Sequence, residues 1–215
     1  LGLSALAYQR ETFKDEDHVR VHPIITKGGN LVNVVPDEVV IETLVRASNK
    51  DAIADAAFKT DRAFKAGAAA IGATCQITTA PGYLPTLKTP ADEDVFAAAK
   101  IAAATSEKEY TVVEKDISHH SGGSTDVGDV QHIHPVLTFN TGGKVNGLHT
   151  VDFDIVDEEL AYIVTAKIFA LSAYRLLRNG AVKAKEIVKN YHPVFTKEEY
   201  IQYMDSFLTY EEQKN

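Results

Sequence analysis

The chain has 215 residues, 45% of them hydrophobic and 24% charged, and a net charge of −8. That is a globular composition, long enough for one large domain or two small ones. The negative balance excludes nucleic acid as an expected partner. No apolar run approaches the ~20 residues a membrane-spanning helix needs, so no membrane partner is expected either.

Cys75 is the only cysteine, so no disulfide forms within the chain. This fits a reducing, cytoplasmic setting. Leu1 to Ala7 lacks the basic start of a signal peptide. Walker, GxGxxG, GxSxG and CxxC motifs are all missing from the sequence.

Residues 3–14 carry Leu3, Leu6, Ala7 and Phe13 near helical spacing. His18 to Thr26 alternates and is β-branched, which predicts a strand, with Pro23 suited to an edge. Val34 to Ala47 reads as a second strand, Val39, Ile41 and Val45 on one face and Glu42 and Arg46 on the other. Asn49 is a good N-cap for a long Ala-rich helix from Lys50 to Ile71, ended by Gly72. Thr74 to Thr79 reads as a third strand. The order helix, strand, strand, helix, strand is a βαββαβ sandwich lacking its first strand.

Ala80 to Pro90 holds three prolines and predicts a domain boundary. A helix from Asp92 to Thr105 has an acidic first turn, which suits its dipole. Tyr110 to Val113 reads as a short strand. Gly122 to Val130 (GGSTDVGDV) reads as a loop, because glycine and aspartate break both helix and strand. Val136 to Phe139 reads as a short buried strand, with His132 and His134 on one face of an apolar strand leading into it. Glu158 to Arg178 carries the longest apolar stripe and ends at Gly180. Further helices are expected over Ala181 to Asn190 and from Lys197, and the last five residues are expected to fray.

The chemistry-bearing residues collect between Gly122 and Phe153. His149 lies on a loop before the long helix. Neutral histidine is the commonest side-chain metal ligand, yet no second ligand sits at close spacing, so His149 reads equally as a solvated loop residue. His119, His120, His132 and His134 are structural or solvated histidines, or a second ligand set with Asp126 and Asp129. Arg46 is an ordinary strand-end ion-pair residue or an anion fork.

Three segments carry a resemblance. HPIITKGGNLVNVVPDEVVIETLVRA resembles the lid-domain strand pair of the zinc-dependent amidohydrolases that include aminoacylases, glutamate carboxypeptidases and aminobenzoyl-glutamate hydrolases. GGSTDVGDV followed by GLHTVDF resembles their C-terminal catalytic segment, in wording closest to the aminobenzoyl-glutamate-hydrolase branch. The resemblance spans roughly Leu1 to Leu177.

It implies an α/β fold with an α+β lid. Residues 1–80 would be an incomplete ferredoxin-like lid and dimerisation domain, and residues 81–215 the C-terminal part of the catalytic domain. His149 matches the family's last metal ligand. Asn33 and Arg46 match an Asn and an Arg that hold a substrate carboxylate. The two are an odd number of positions apart, so one strand would need a bulge to aim both at one ligand. His22 stands where relatives have His followed by Gly, with Pro23 here instead, as a further substrate contact. Asp126 and Asp129 would brace the site loop.

The cofactor implied is two zinc ions, with cobalt or manganese fitting the same ligands. The implied substrate is a small acylated amino acid or dipeptide, and the implied assembly a homodimer through the lid. The family's remaining ligands, its Glu-Glu base and its lid histidine match nothing in this sequence. The chain alone is therefore expected to be inactive. The alternative is a non-catalytic dimerisation module or carboxylate-binding subunit.

Overall fold

The computed structural model describes residues 1–87, 92–114 and 124–214. The architecture is α+β, helices combined with small antiparallel sheets. Two compact units form. The first gathers Leu1–Leu87, His120–Ile133 and Phe195–Asn215; the second gathers Lys88–His119 and His134–Val194. Residues 1–80 fall wholly in the first unit, and residues 81–215 are shared between the two.

In the first unit, α1 (Gly2–Gln9) crosses α2 (Lys50–Ala69). Two glycines allow the close approach. A Cβ on Gly67 would lie 2.3 Å from the Gly2 nitrogen, and one on Gly2 would lie 2.9 Å from Phe64 Cδ1. The buried stripe of α2 is Ala52, Ala56, Thr60, Ala63 and Gly67, small residues at helical spacing. The Asn49 side chain accepts the Ala52 N–H at 2.8 Å and so caps the first turn. At the other end Gly72 takes φ +69°, and the Ala73 N–H reaches back to the Ala68 carbonyl at 3.0 Å. Glycine adopts that left-handed geometry without a Cβ penalty.

Strands β1 (Arg20–Lys27) and β2 (Val40–Arg46) pair antiparallel, Arg20 opposite Arg46 and His22 opposite Leu44, with a register shift between Ile25 and Lys27. The second strand therefore begins six residues later than the sequence suggests. Pro36 packs over Gly29, whose φ of +123° only glycine adopts readily, and this holds residues 28–39 as a loop.

Strand β3 (Cys75–Thr79) is not bonded to that pair. Its partner is β6 (Thr209–Gln213), in antiparallel register from Cys75–Gln213 to Thr79–Thr209. Of the C-terminal tail expected to fray, residues 211–213 are thus paired strand, held also by a Lys65–Glu211 salt bridge.

The glycine-rich stretch is the second departure. Val127–Ile133 forms a short helix, α4. Gly128 permits it, because a Cβ there would fall 2.0 Å from the Leu84 carbonyl oxygen. Asp129 accepts the Leu84 N–H at 2.8 Å and Gln131 accepts the Leu87 N–H at 2.9 Å. Tertiary hydrogen bonds override the poor local propensity. A capping box of Thr196 and Glu199 opens α6 (Lys197–Asp205), where Phe195 stacks on Tyr203 at 5.0 Å and Tyr203 meets Phe207 edge-on at 5.1 Å.

In the second unit, α3 (Glu93–Ala104) is capped by Asp92. It packs against α5 (Thr165–Asn190), which follows a π-helical turn, Glu159–Val164. Ala102, Val164 and Ile168 make the core, with Tyr110, Phe139 and Leu160 against it. The predicted strands at Tyr110–Val113 and Val136–Phe139 join no ladder among the described residues. Tyr110 and Phe139 pack on the helical core instead, and Phe139 meets Phe169 at 4.8 Å.

Helix α5 is interrupted at Arg178–Ala181, where Asn179, Gly180 and Ala181 take positive φ. Contrary to the sequence reading, the run Glu159–Asn190 is by length and composition apolar enough to cross a membrane, with a mean hydropathy of 1.4 over its best window. Its Val164 and Ile168 are buried and Arg175 pairs with Asp94 at 2.8 Å, whereas Ile163, Phe169, Tyr174 and Leu177 are more than half exposed. A two-residue ladder, β4 (Lys144–Val145) with β5 (Asp154–Ile155), closes the loop that carries His149.

Candidate functional site

Arg46 ends β2 and is half-buried. Its Nε is buried and has no hydrogen-bond partner among the described residues. Arg20 lies directly across the ladder. Like charges opposite one another destabilise a strand pair, and a buried guanidinium N–H without a partner costs free energy. An anion at this end of the hairpin would relieve both.

Asn33 does not lie on that strand. It sits in an exposed turn closed by the Val34 N–H on the Leu31 carbonyl at 3.3 Å. Residues 34–39 separate Asn33 from β2 as loop, so Asn33 and Arg46 share no strand and no bulge aligns them. His22, in β1, shares the sheet face of Arg20 and Arg46 and is exposed.

Asp129 holds the Leu84 backbone and also meets the Tyr200 hydroxyl, which helps to raise that phenol after burial, the larger cause. Asp126 accepts the Thr125 hydroxyl at 3.0 Å. His132 is not on a strand with His134. It is buried in α4, its Nδ1 2.8 Å from the Gly128 carbonyl and its ring stacked on Phe195. His134 lies beyond the helix, exposed, with its Nδ1 3.0 Å from the Pro135 carbonyl. The helix that breaks the alternation removes their common face. His119 and His120 lie outside the described residues, as do Gly122 and Gly123.

His149 belongs to the second unit. It is exposed, in a turn closed on the Gly147 carbonyl, with φ +70°. Non-glycine residues held in the left-handed region cluster at functional sites. Among the described residues no three His, Cys, Asp or Glu side chains are grouped to hold a metal ion. Catalytic zinc takes about three protein ligands, so His149 by itself does not fit one.

One polar cluster was not visible in the sequence. The Tyr110 hydroxyl meets both Asp157 oxygens at 3.1 Å and Glu159 at 3.3 Å, and Lys108 pairs with Asp157 at 3.0 Å. Desolvation first, then the two carboxylates, push the Tyr110 phenol up to about 12. The Lys108 ammonium and the Leu160 N–H hold Asp157 below its usual value. The signal was masked because Tyr110 reads as a strand residue.

Compared with protein-family models, with curated proteins and with solved structures, the chain matches none of them.

Proposed function

We propose that the chain is the C-terminal portion of a metal-dependent amidohydrolase that cleaves an amide or peptide bond next to a free carboxylate, on an N-acyl amino acid or aminobenzoyl-glutamate type of substrate. The observation that carries this reading is Arg46. Its buried Nε lacks a partner, it faces Arg20, and it stands in the LVRA segment that resembles the family's carboxylate-holding strand. Asn33 and His22 are the companion substrate contacts.

The finer fold proposed is the ferredoxin-like lid without its first strand. In its support, β2 and β3 both rest on α2 yet are not bonded to one another. The proposed homodimer uses the exposed hairpin arm. Val32 and Val35 are fully or almost fully exposed there, and Ile24 and Leu44 are exposed on the adjoining sheet face. Of Leu3, Leu6 and Phe13, an apolar face also expected at the interface, Leu6 is buried, Phe13 is half-buried and Leu3 is exposed. Zinc remains the proposed metal of the intact enzyme. No catalytic step through it is assigned to this chain, whose described residues do not make a ligand set.

A carboxylate-binding, non-catalytic subunit is the second reading, favoured by that same lack of a ligand group. Titration calorimetry with N-acetylglutamate and its α-amide tests the carboxylate assignment. The acid is expected to bind more tightly than the amide, and Arg46→Ala to remove about 2–3 kcal/mol of that preference. Equal binding of acid and amide to the unmutated chain would sink it.

A further inference from the structure

A groove of about 560 Å3 runs between α1 with its following turn and strand β1. Its floor is apolar: Leu6 is buried, and Phe13 and Val21 are half-buried. Its rim is cationic. Arg10, Lys14 and Arg20 line it against a single acid, Asp15.

Arg10 and Arg20 have no ion pair among the described residues. Lys14 meets only Glu16, at 3.9 Å, with both side chains largely in water. An exposed pair at that distance neutralises little charge. In a chain of net charge −8, the side chains that line this groove are thus more cationic than anionic.

Among the described residues β1 pairs with β2 alone, which leaves its other edge open. Pro23 stands in the middle of that strand and offers no N–H. A proline within a sheet belongs where its missing donor faces the open edge, and it blunts strand addition there. Side chains rather than an added strand are left to do the recognising.

We infer that this groove is a binding site for an amphipathic organic anion, a carboxylate or phosphate on an apolar body. The head meets Arg10, Lys14 and Arg20, and the tail lies on Leu6, Phe13 and Val21. The groove adjoins the proposed carboxylate site, since His22 lines it and Arg20 faces Arg46, and Arg46→Ala is the variant that tells the two apart.

The test is titration calorimetry of the whole chain with octanoate, octyl phosphate and octanol. Both anions are expected to bind at least tenfold more tightly than octanol, and more weakly at high salt. A lead of octyl phosphate over octanoate would mark phosphate as the preferred head; equal binding would mark any anion. Arg10→Gln with Lys14→Gln, both exposed and outside the core, is expected to weaken anion binding about tenfold and leave circular dichroism unchanged. Arg10→Lys is expected to retain it, and Arg46→Ala to leave it unaltered. Octanol binding as well as the anions, no anion binding at all, or full binding by the double variant would overturn the inference.

Discussion

The Tyr110 hydroxyl lies 3.1 Å from each carboxylate oxygen of Asp157, which is itself paired with Lys108. One phenol thereby ties the segment after α3 to the start of the π-helical turn. The cluster has a signature at both ends of the pH scale. Asp157 is held below its ordinary value, so its contribution is complete above the unfolded carboxylate range and is lost as pH falls through the folded value. Tyr110 is raised to about 12, so its contribution is complete below the unfolded value of 10.0 and is lost as pH rises toward 12. Denaturant unfolding against pH is expected to show both losses, and Tyr110→Phe to remove the alkaline one. An alkaline limb unchanged in Tyr110→Phe would assign it to other groups.

Gly67→Ala is expected to destabilise, against the usual trend. In an open helix the change gains up to about 1 kcal/mol in propensity. Here the added methyl meets the Gly2 nitrogen at 2.3 Å. Forcing α1 off α2 is expected to cost about 1–3 kcal/mol, readable in chemical denaturation. A stabilised variant would show that α1 does not rest there in solution.

Assembly is expected to depend on the hairpin arm. Light scattering should report a dimer that the double change Val32→Asp with Val35→Asp converts to monomer, with helix content retained. A dimer that survives both aspartates would move the interface elsewhere.

Zinc binding by the isolated chain is expected to be weak and to fall further in His149→Ala, by competition with a chromophoric chelator. No turnover of an N-acyl amino acid is expected from the metal-loaded chain, because one imidazole provides neither a full ligand set nor a proton acceptor. Chelator-sensitive turnover would mean the active site is assembled from other residues, first among them those around Asp126 and Asp129.

What could be read from the sequence was what neighbouring residues decide. Asn49 and Gly72 bracket α2 because a cap side chain and a left-handed glycine act within a few residues of the end they close. Arg46 and Glu42 oppose Ile41 and Val45 because a strand alternates. The rest is set by partners distant in sequence. Helix α4 exists because Asp129 and Gln131 bond the backbone of residues 84 and 87. Strand β6 carries the charged stretch TYEEQ, which shows no apolar face, and is recruited by β3. Val136–Phe139 has strand composition but finds its burial against a helix. Of the candidate site, the strand face of Arg46 is legible in the alternation of β2, whereas Asn33 lies in a turn that the strand does not reach.

The pairing of Cys75 with Gln213 has a consequence in time. The first unit draws its backbone from three separate stretches, and its β3 edge is covered only by the last of them. During synthesis α1, β1, β2 and α2 emerge before β3 and can pack, while β3 waits with an unpaired edge until Thr209–Gln213 follow. Contacts so distant in sequence slow folding, and an uncovered edge invites pairing with other chains. A chain that lacks residues 209–213 is therefore the species most exposed to aggregation, and the first unit should become protease-resistant only once those residues are present.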